Sequence, residues 1–159
     1  MLIKGSCHCG KVKFEVEAYA PVPYNLCYCS ICRKTAGSGG YAINLGALNE
    51  TLKITGKSHI TTFHAIRREG GKEEKSEAQR TFCKHCGTAL WLYSPDWPDL
   101  IHPNAGCIDT DLPEAPSRNH NMTGSKANWV DVCTLKKDKV YEEFAPESLK
   151  EWHEKHGYD

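Results

Sequence analysis

Between Lys11 and Glu17 the chain alternates strictly, with Val12, Phe14 and Val16 on one side and Lys11, Lys13, Glu15 and Glu17 on the other. A period of two predicts a strand with one buried and one wet face. Pro21-Val22-Pro23 breaks the pattern, because proline removes a ladder donor. Tyr41, Ile43 and Leu45 alternate again, as do Leu52 and Ile54, and Ser58 to His64 predicts a further strand rich in threonine and isoleucine. Arg68 to Gln79 is charged and contains Gly70-Gly71, so a solvated hairpin tip or flexible loop is expected there. Thr88 to Tyr93 predicts a strong strand stopped by Pro95 and Pro98, and Leu100 to Ile108 and Trp129 to Val132 are shorter strand candidates. After Cys32 only a short helix fits before the Gly37-Ser38-Gly39-Gly40 run. In the tail, Leu149, Trp152 and His156 share a helical face, with Pro146 suited to the first turn and Gly157 to the end. The pattern predicts a mostly β fold with a C-terminal helix.

Length and composition narrow the setting. A chain of 159 residues is expected to form one domain, 1–159, large enough for a real core. Twenty basic and twenty acidic residues cancel, so no global charge draws the chain to nucleic acid or an anionic membrane. No apolar run approaches the ~20 residues of a membrane span, and Met1-Leu2-Ile3-Lys4-Gly5 opens no secretory h-region. The nine cysteines are odd in number and closely spaced, which fits metal ligation in a reduced cytoplasm better than a disulfide framework.

Seven of those nine form three tight groups: Cys7-His8-Cys9, Cys27-Tyr28-Cys29-Ser30-Ile31-Cys32 and Cys83-Lys84-His85-Cys86-Gly87. A closed tetrahedral zinc site takes four thiolates, and three more make a site with a vacant position; closed sites hold folds and open ones act. Two partitions are available. Cys29, Cys32, Cys83 and Cys86 could form a ribbon of two knuckles, leaving Cys7, Cys9 and Cys27 unexplained. Alternatively Cys7, Cys9, Cys83 and Cys86 close one site, and Cys27, Cys29 and Cys32 form an open triad. The second uses all seven ligands and is preferred, although spacing alone does not settle it.

Gly5-Ser6-Cys7-His8-Cys9-Gly10, Cys27 through Lys34, and Arg80-Thr81-Phe82-Cys83-Lys84-His85-Cys86-Gly87 resemble the glutathione-dependent formaldehyde-activating enzyme (CENP-V/GFA) family. The resemblance continues through Asn104-Ala105-Gly106, His120 and Gly124 to Trp129. It implies a β-tent zinc-binding fold of packed antiparallel sheets. It also implies the second partition, with a structural zinc on Cys7, Cys9, Cys83 and Cys86 and a catalytic zinc on Cys27, Cys29 and Cys32. The implied activity is that of a carbon–sulfur lyase acting on small-molecule partners: a glutathione-like thiol and a small aldehyde such as formaldehyde. His120 is the candidate proton carrier by family position. Two departures stand out: Asn128, where relatives often carry a proline before the tryptophan, and Asn121-Met122 in place of a more apolar pair.

The donor set suits that chemistry. Zinc with three thiolates and a neutral fourth ligand carries a formal charge of −1, a poorer Lewis acid than zinc on three neutral histidines. A soft sulfur-rich site accepts a further sulfur readily, and thiolate addition to an aldehyde gives a hemithioacetal. The alternative function is a non-catalytic zinc module that binds protein or nucleic acid; the chain has no clustered basic–aromatic stripe to favour nucleic acid. Arg33 and Lys34 could attract an anionic thiol. His8 and His85 could replace a sulfur ligand, although four thiolates are available. Cys107 and Cys133 are expected as buried small apolar residues, and Trp91, Tyr93 and Trp129 as core.

Overall fold

The computed structural model describes residues 1–158. In chain order the elements are β1 (Leu2–Ser6), β2 (Lys13–Glu17), β3 (Tyr24–Cys27), α1 (Ser30–Ala36), β4 (Ala42–Ile43), β5 (Ala47–Leu48), β6 (Lys53–Thr55), β7 (Ile60–Glu69), β8 (Lys72–Cys83), β9 (Ala89–Tyr93), β10 (Leu100–Pro103), β11 (Arg118–Asn121), β12 (Lys139–Val140) and α2 (Leu149–His156). Among the described residues they build three sheets, ordered β1-β2-β6, β5-β10-β9-β8-β7 and β12-β11-β3-β4. The fold is mostly β, as the alternation predicted. Most pairs are antiparallel, but β11 lies parallel to both β3 and β12.

The alternating residues of β2 fill the main core. Phe14 meets Trp91 edge to face at 5.2 Å between ring centroids, and Ile3, Val12, Val16, Leu45, Leu90 and Ile101 close around them. Burying each such side chain contributes roughly 1.5–3 kcal/mol. Strand β1, absent from the expected elements, supplies Ile3 and pairs β2 from Leu2↔Glu17 to Ser6↔Lys13.

Four expectations need correction. Arg68 to Gln79 is no loose loop: β7 and β8 pair as far as Glu69↔Lys72, and only the Gly70-Gly71 tip turns. Opposite charges face each other there, as in Arg67↔Glu74 and Arg68↔Glu73, so the ladder holds without an apolar face. Trp129 to Val132 forms no strand, and Trp129 is 60% exposed. Leu100 to Ile108 is strand only to Pro103, after which Asn104 caps a single 3₁₀ turn. In the tail, Ser148 rather than Pro146 starts the helix, through a capping box with Glu151, while Gly157 ends it at φ 73° as expected.

Behind the third sheet lies a buried polar network. Arg118 Nε and Nη2 donate to Asp138 Oδ2 at 2.9 and 2.6 Å, and His120 Nε2 lies 3.0 Å from the same oxygen. Burial pushes the Asp138 carboxyl up, but Arg118, the Leu135 N–H and His120 together hold it well below the usual carboxylate range. Removing Asp138 leaves the fully buried His120 and the largely buried Arg118 without their shared acceptor. Asp138→Ala is expected to cost about 3–5 kcal/mol, read as a shift of the urea midpoint; a loss below about 1 kcal/mol would put the pair among surface bridges.

Candidate metal centres and adjoining cleft

Two groups of sulfurs converge among the described residues: Cys7, Cys9, Cys83 and Cys86, and Cys27, Cys29 and Cys32, each with its Sγ atoms within 4.8 Å of one another. In the first, Cys7 Sγ lies 3.5 Å from Cys9 Sγ, which lies 3.7 Å from Cys83 Sγ. Tetrahedral zinc with Zn–S bonds of ~2.3 Å calls for sulfurs roughly 3.8 Å apart. The group fits a closed metal site, and its chemistry is compatible with zinc.

Each half of this centre is a tight turn. Gly10 N–H donates to Cys7 O at 3.0 Å and Gly87 N–H to Cys83 O at 2.8 Å. Both glycines have positive φ, 76° and 74°, where a side chain is disfavoured. Val12 N–H donates to Cys7 Sγ at 3.3 Å. Thr88 joins the halves, its hydroxyl accepting the His8 N–H at 3.1 Å and lying 3.2 Å from Cys86 Sγ. The Thr88 hydroxyl, with backbone N–H groups, pulls the Cys86 thiol down to about 5, a thiolate ready for a cation at neutral pH. His85 does not join the sulfurs; its Nε2 lies 2.8 Å from His59 Nδ1.

The three-sulfur group sits where β3 gives way to α1. Cys27 ends the strand, and Cys29 caps the helix with its sulfur accepting the Cys32 N–H at 3.3 Å. Cys27 and Cys32 are buried, while Cys29 is half-exposed. Three further donors point at Cys32 Sγ: Arg80 Nη1 and Nη2 at 3.7 and 3.6 Å, and Asn44 Nδ2 at 3.7 Å. Hydrogen bonds from the Cys27 and Cys29 thiols, then the Arg80 guanidinium, draw Cys32 down to about 2. Hydrogen bonding to Cys29 and Cys32, together with burial, pushes Cys27 strongly up. Three crowded thiols thus release one proton easily and keep another firmly, which is the behaviour of a site whose full ionisation needs a cation. The donor set therefore fits a metal ion with an open position.

A cleft of about 230 Å³ opens beside Cys32, bounded by Thr35 and Ala36 of α1 and by Asn44, Arg80, Trp91 and Asn104. Cross-strand register places Phe63, Arg80 and Leu92 on one sheet face, and all three line the cleft, as does Phe82. Arg80 lies in the motif that carries the resemblance, without an expected role, and nothing in the local sequence pattern marks Asn44. Only strand pairing could find them, since each reaches Cys32 across a sheet or bridge.

Other expected residues fall as follows. His120 does not face the triad. It pairs with Leu26 in register, one residue from Cys27 on the opposite face of the sheet, and it is fully buried. Its Nδ1 lies 2.8 Å from the Tyr28 hydroxyl and its Nε2 on Asp138, so both ring nitrogens are engaged. Cys107 is buried as expected, and burial pushes its thiol up to about 12, whereas Cys133 is exposed. Lys34 is exposed and the Arg33 side chain is directed to no acceptor at Nε. Trp91 is buried and reaches both core and cleft, and Tyr93 is half-buried against that core. Met122 packs against Cys27 and Cys32, and Asn128 is exposed.

Residues 2–130 match the model of the family described as glutathione-dependent formaldehyde-activating enzyme. A protein of Halomonas elongata, provisionally named a glutathione-dependent formaldehyde-activating enzyme, is 45% identical over 159 residues, covering 100% of this chain and 99% of its own. A crystal structure of a Rhodobacter sphaeroides protein is similar at 28% identity and a TM-score of 0.49, over 69% of this chain and 91% of that one.

Proposed function

The chain belongs to the glutathione-dependent formaldehyde-activating enzyme family, and from that premise we propose that it is a zinc-dependent carbon–sulfur lyase. In this reading residues 1–159 act as one CENP-V/GFA-type domain in the reducing cytoplasm, with all nine cysteines free. A structural zinc sits on Cys7, Cys9, Cys83 and Cys86, and a catalytic zinc on Cys27, Cys29 and Cys32. The reaction joins a glutathione-like thiol to a small aldehyde such as formaldehyde, and reverses. The observation that carries the reading is the three-sulfur group with its Arg80 and Asn44 donors, set against an open cleft.

Zinc at the triad would supply a soft position that keeps a bound thiol as thiolate without making a strong water activator. The chain's own residues do the rest. Arg80 and Asn44 hold Cys32 by charge-assisted and amide hydrogen bonds, fixing the geometry of the triad. The sulfur of the thiol forms a bond to the carbonyl carbon while the carbonyl π pair moves to oxygen. Solvent then supplies the proton that completes the hydroxyl. His120, sealed between Tyr28 and Asp138, positions β11 against β3 and takes no part as proton carrier in this reading.

The test compares thiol–formaldehyde exchange for wild type and Cys29→Ser above the uncatalysed background, across several thiols. An excess confined to the wild type supports the enzyme; equal rates would return the chain to a zinc module that only binds. Arg80→Gln should weaken metal retention at the triad about 10–100-fold, read by chelator competition, while the four-cysteine centre keeps its metal. Unchanged retention would remove Arg80 from the supporting shell.

A further inference from the structure

Asn104 is 7% exposed and lines the cleft beside the triad. Its Oδ1 accepts the Gly106 N–H at 2.9 Å, which fixes the amide: the oxygen is committed to the turn, and the nitrogen is the other end. That Nδ2 has no hydrogen-bond partner among the described residues, although it is buried. Buried amide donors are nearly always satisfied, so an orphan at a cleft wall marks a place for an acceptor that arrives. Asn104 is also bridged to Asn44, whose own amide donates to Cys32 Sγ. Antiparallel partners carry their side chains on one side, with Cβ atoms about 4.5–5.5 Å apart. One amide of this pair therefore serves the sulfur, and its neighbour waits beside it.

The walls around that donor are mixed: Thr35, Thr81, Arg80 and Asn44 are polar, the last two already donating to Cys32 Sγ, and the rest of the lining is largely apolar. Phe63 and Phe82 meet edge to face with centroids 6.1 Å apart, and Leu92, Ala89 and Ala36 continue the lining. Glutathione carries two carboxylates, an ammonium and two peptide groups, and with Arg80 and Asn44 engaged by Cys32 Sγ the phenylalanine and leucine side of the cleft offers them no partners. Formaldehyde has two heavy atoms, and a water occupies about 30 Å³ of liquid, so a cleft of about 230 Å³ holds considerably more.

We propose that this cleft is the carbonyl-side subsite, that it takes an aldehyde bearing an apolar substituent, and that Asn104 Nδ2 donates to the oxygen of the hemithioacetal. The inference rests on the thiol–aldehyde reading above. As the C–S bond forms, the carbonyl π electrons pass to oxygen; the Asn104 N–H stabilises that charge, and solvent protonates it. The thiol's own proton leaves to solvent, so the sum is RSH + R′CHO → RS–CH(OH)R′. A preplaced donor at a developing oxyanion does this without reorganisation.

Asn104→Asp is the informative variant, because it keeps an oxygen for the Gly106 N–H and puts a carboxylate oxygen in place of the amide donor. The donor is lost, and a negative charge opposes the developing oxyanion. With glutathione and propanal, kcat should fall about 100-fold, while the KM for glutathione and the zinc content stay near wild type. Independently of turnover, the ¹⁵N-labelled metal-loaded protein is titrated with propanal alone, with no thiol added. The Asn104 side-chain NH₂ resonance, identified by its absence in Asn104→Asp, should shift saturably. Triad-dependent exchange that survives Asn104→Asp at the wild-type kcat overturns this subsite and leaves the enzyme reading intact. An unmoved Asn104 resonance overturns it as well. Absence of any triad-dependent exchange, with the resonance still moving, discards the lyase and retains the cleft as a carbonyl site.

Discussion

Cys83→Ser is expected to abolish folding. Cys83 is completely buried, ends β8 and stands 3.7 Å from Cys9 Sγ, 74 residues away in the chain. In the proposed assignment its sulfur is one of four holding zinc, and structural zinc contributes an apparent ~10–16 kcal/mol at neutral pH. Net stabilities run to about 5–15 kcal/mol, so the metal term can equal the whole. The loss reaches beyond the ion, because β8 pairs with both β7 and β9 and the first knuckle loses its counterpart. Far-UV circular dichroism and a thermal melt check this. A cooperative transition within a few degrees of wild type would refute the structural role of this centre.

Cys29→Ser should do the reverse, emptying the triad while the fold survives. Cys29 caps α1 with a sulfur that accepts the Cys32 N–H, and serine is among the best residues for that task. The helix thus keeps its start, and the half-exposed site loses a thiolate without opening a core cavity. Metal analysis should find one zinc per chain in place of two, with a melt close to wild type and exchange reduced to background. Zinc content unchanged by the substitution would sink the open-site assignment. The two variants together separate a centre that holds the fold from one that acts.

How much of this was legible beforehand depended on whether the physics was local. β2 announced itself because one face is dry and the other wet, and α2 because Trp152 buries one side of a short helix ended by Gly157. β3 and β11 carried no such signal. Tyr24 to Cys27 and Arg118 to Asn121 place polar groups on buried faces, where Asn119 Nδ2 donates to Asn25 Oδ1 at 3.1 Å and His120 meets Tyr28. Their polarity is satisfied by partners nearly a hundred residues away, which no periodicity reveals. The charged β7–β8 ladder hid for a related reason: its outer half has no apolar face to alternate. Trp129 misled in the opposite sense, since an aromatic residue suggests burial but does not require it.

The sequence by itself determined the chemistry on offer: three cysteine groups whose C-x-C and C-x-x-C spacings fold into sulfur-presenting turns within a few residues. Turn geometry is short-range, so it can be read along the chain. Only the tertiary structure decided which turns face each other. Sheet pairing brings Cys7 and Cys9 to Cys83 and Cys86, leaves Cys27, Cys29 and Cys32 as a group of their own, and turns His120 to the far face of its sheet. It also gathers Asn44, Arg80 and Asn104 around the cleft. Those meetings depend on strand register and on closure of long loops, and neither leaves a mark on the local pattern.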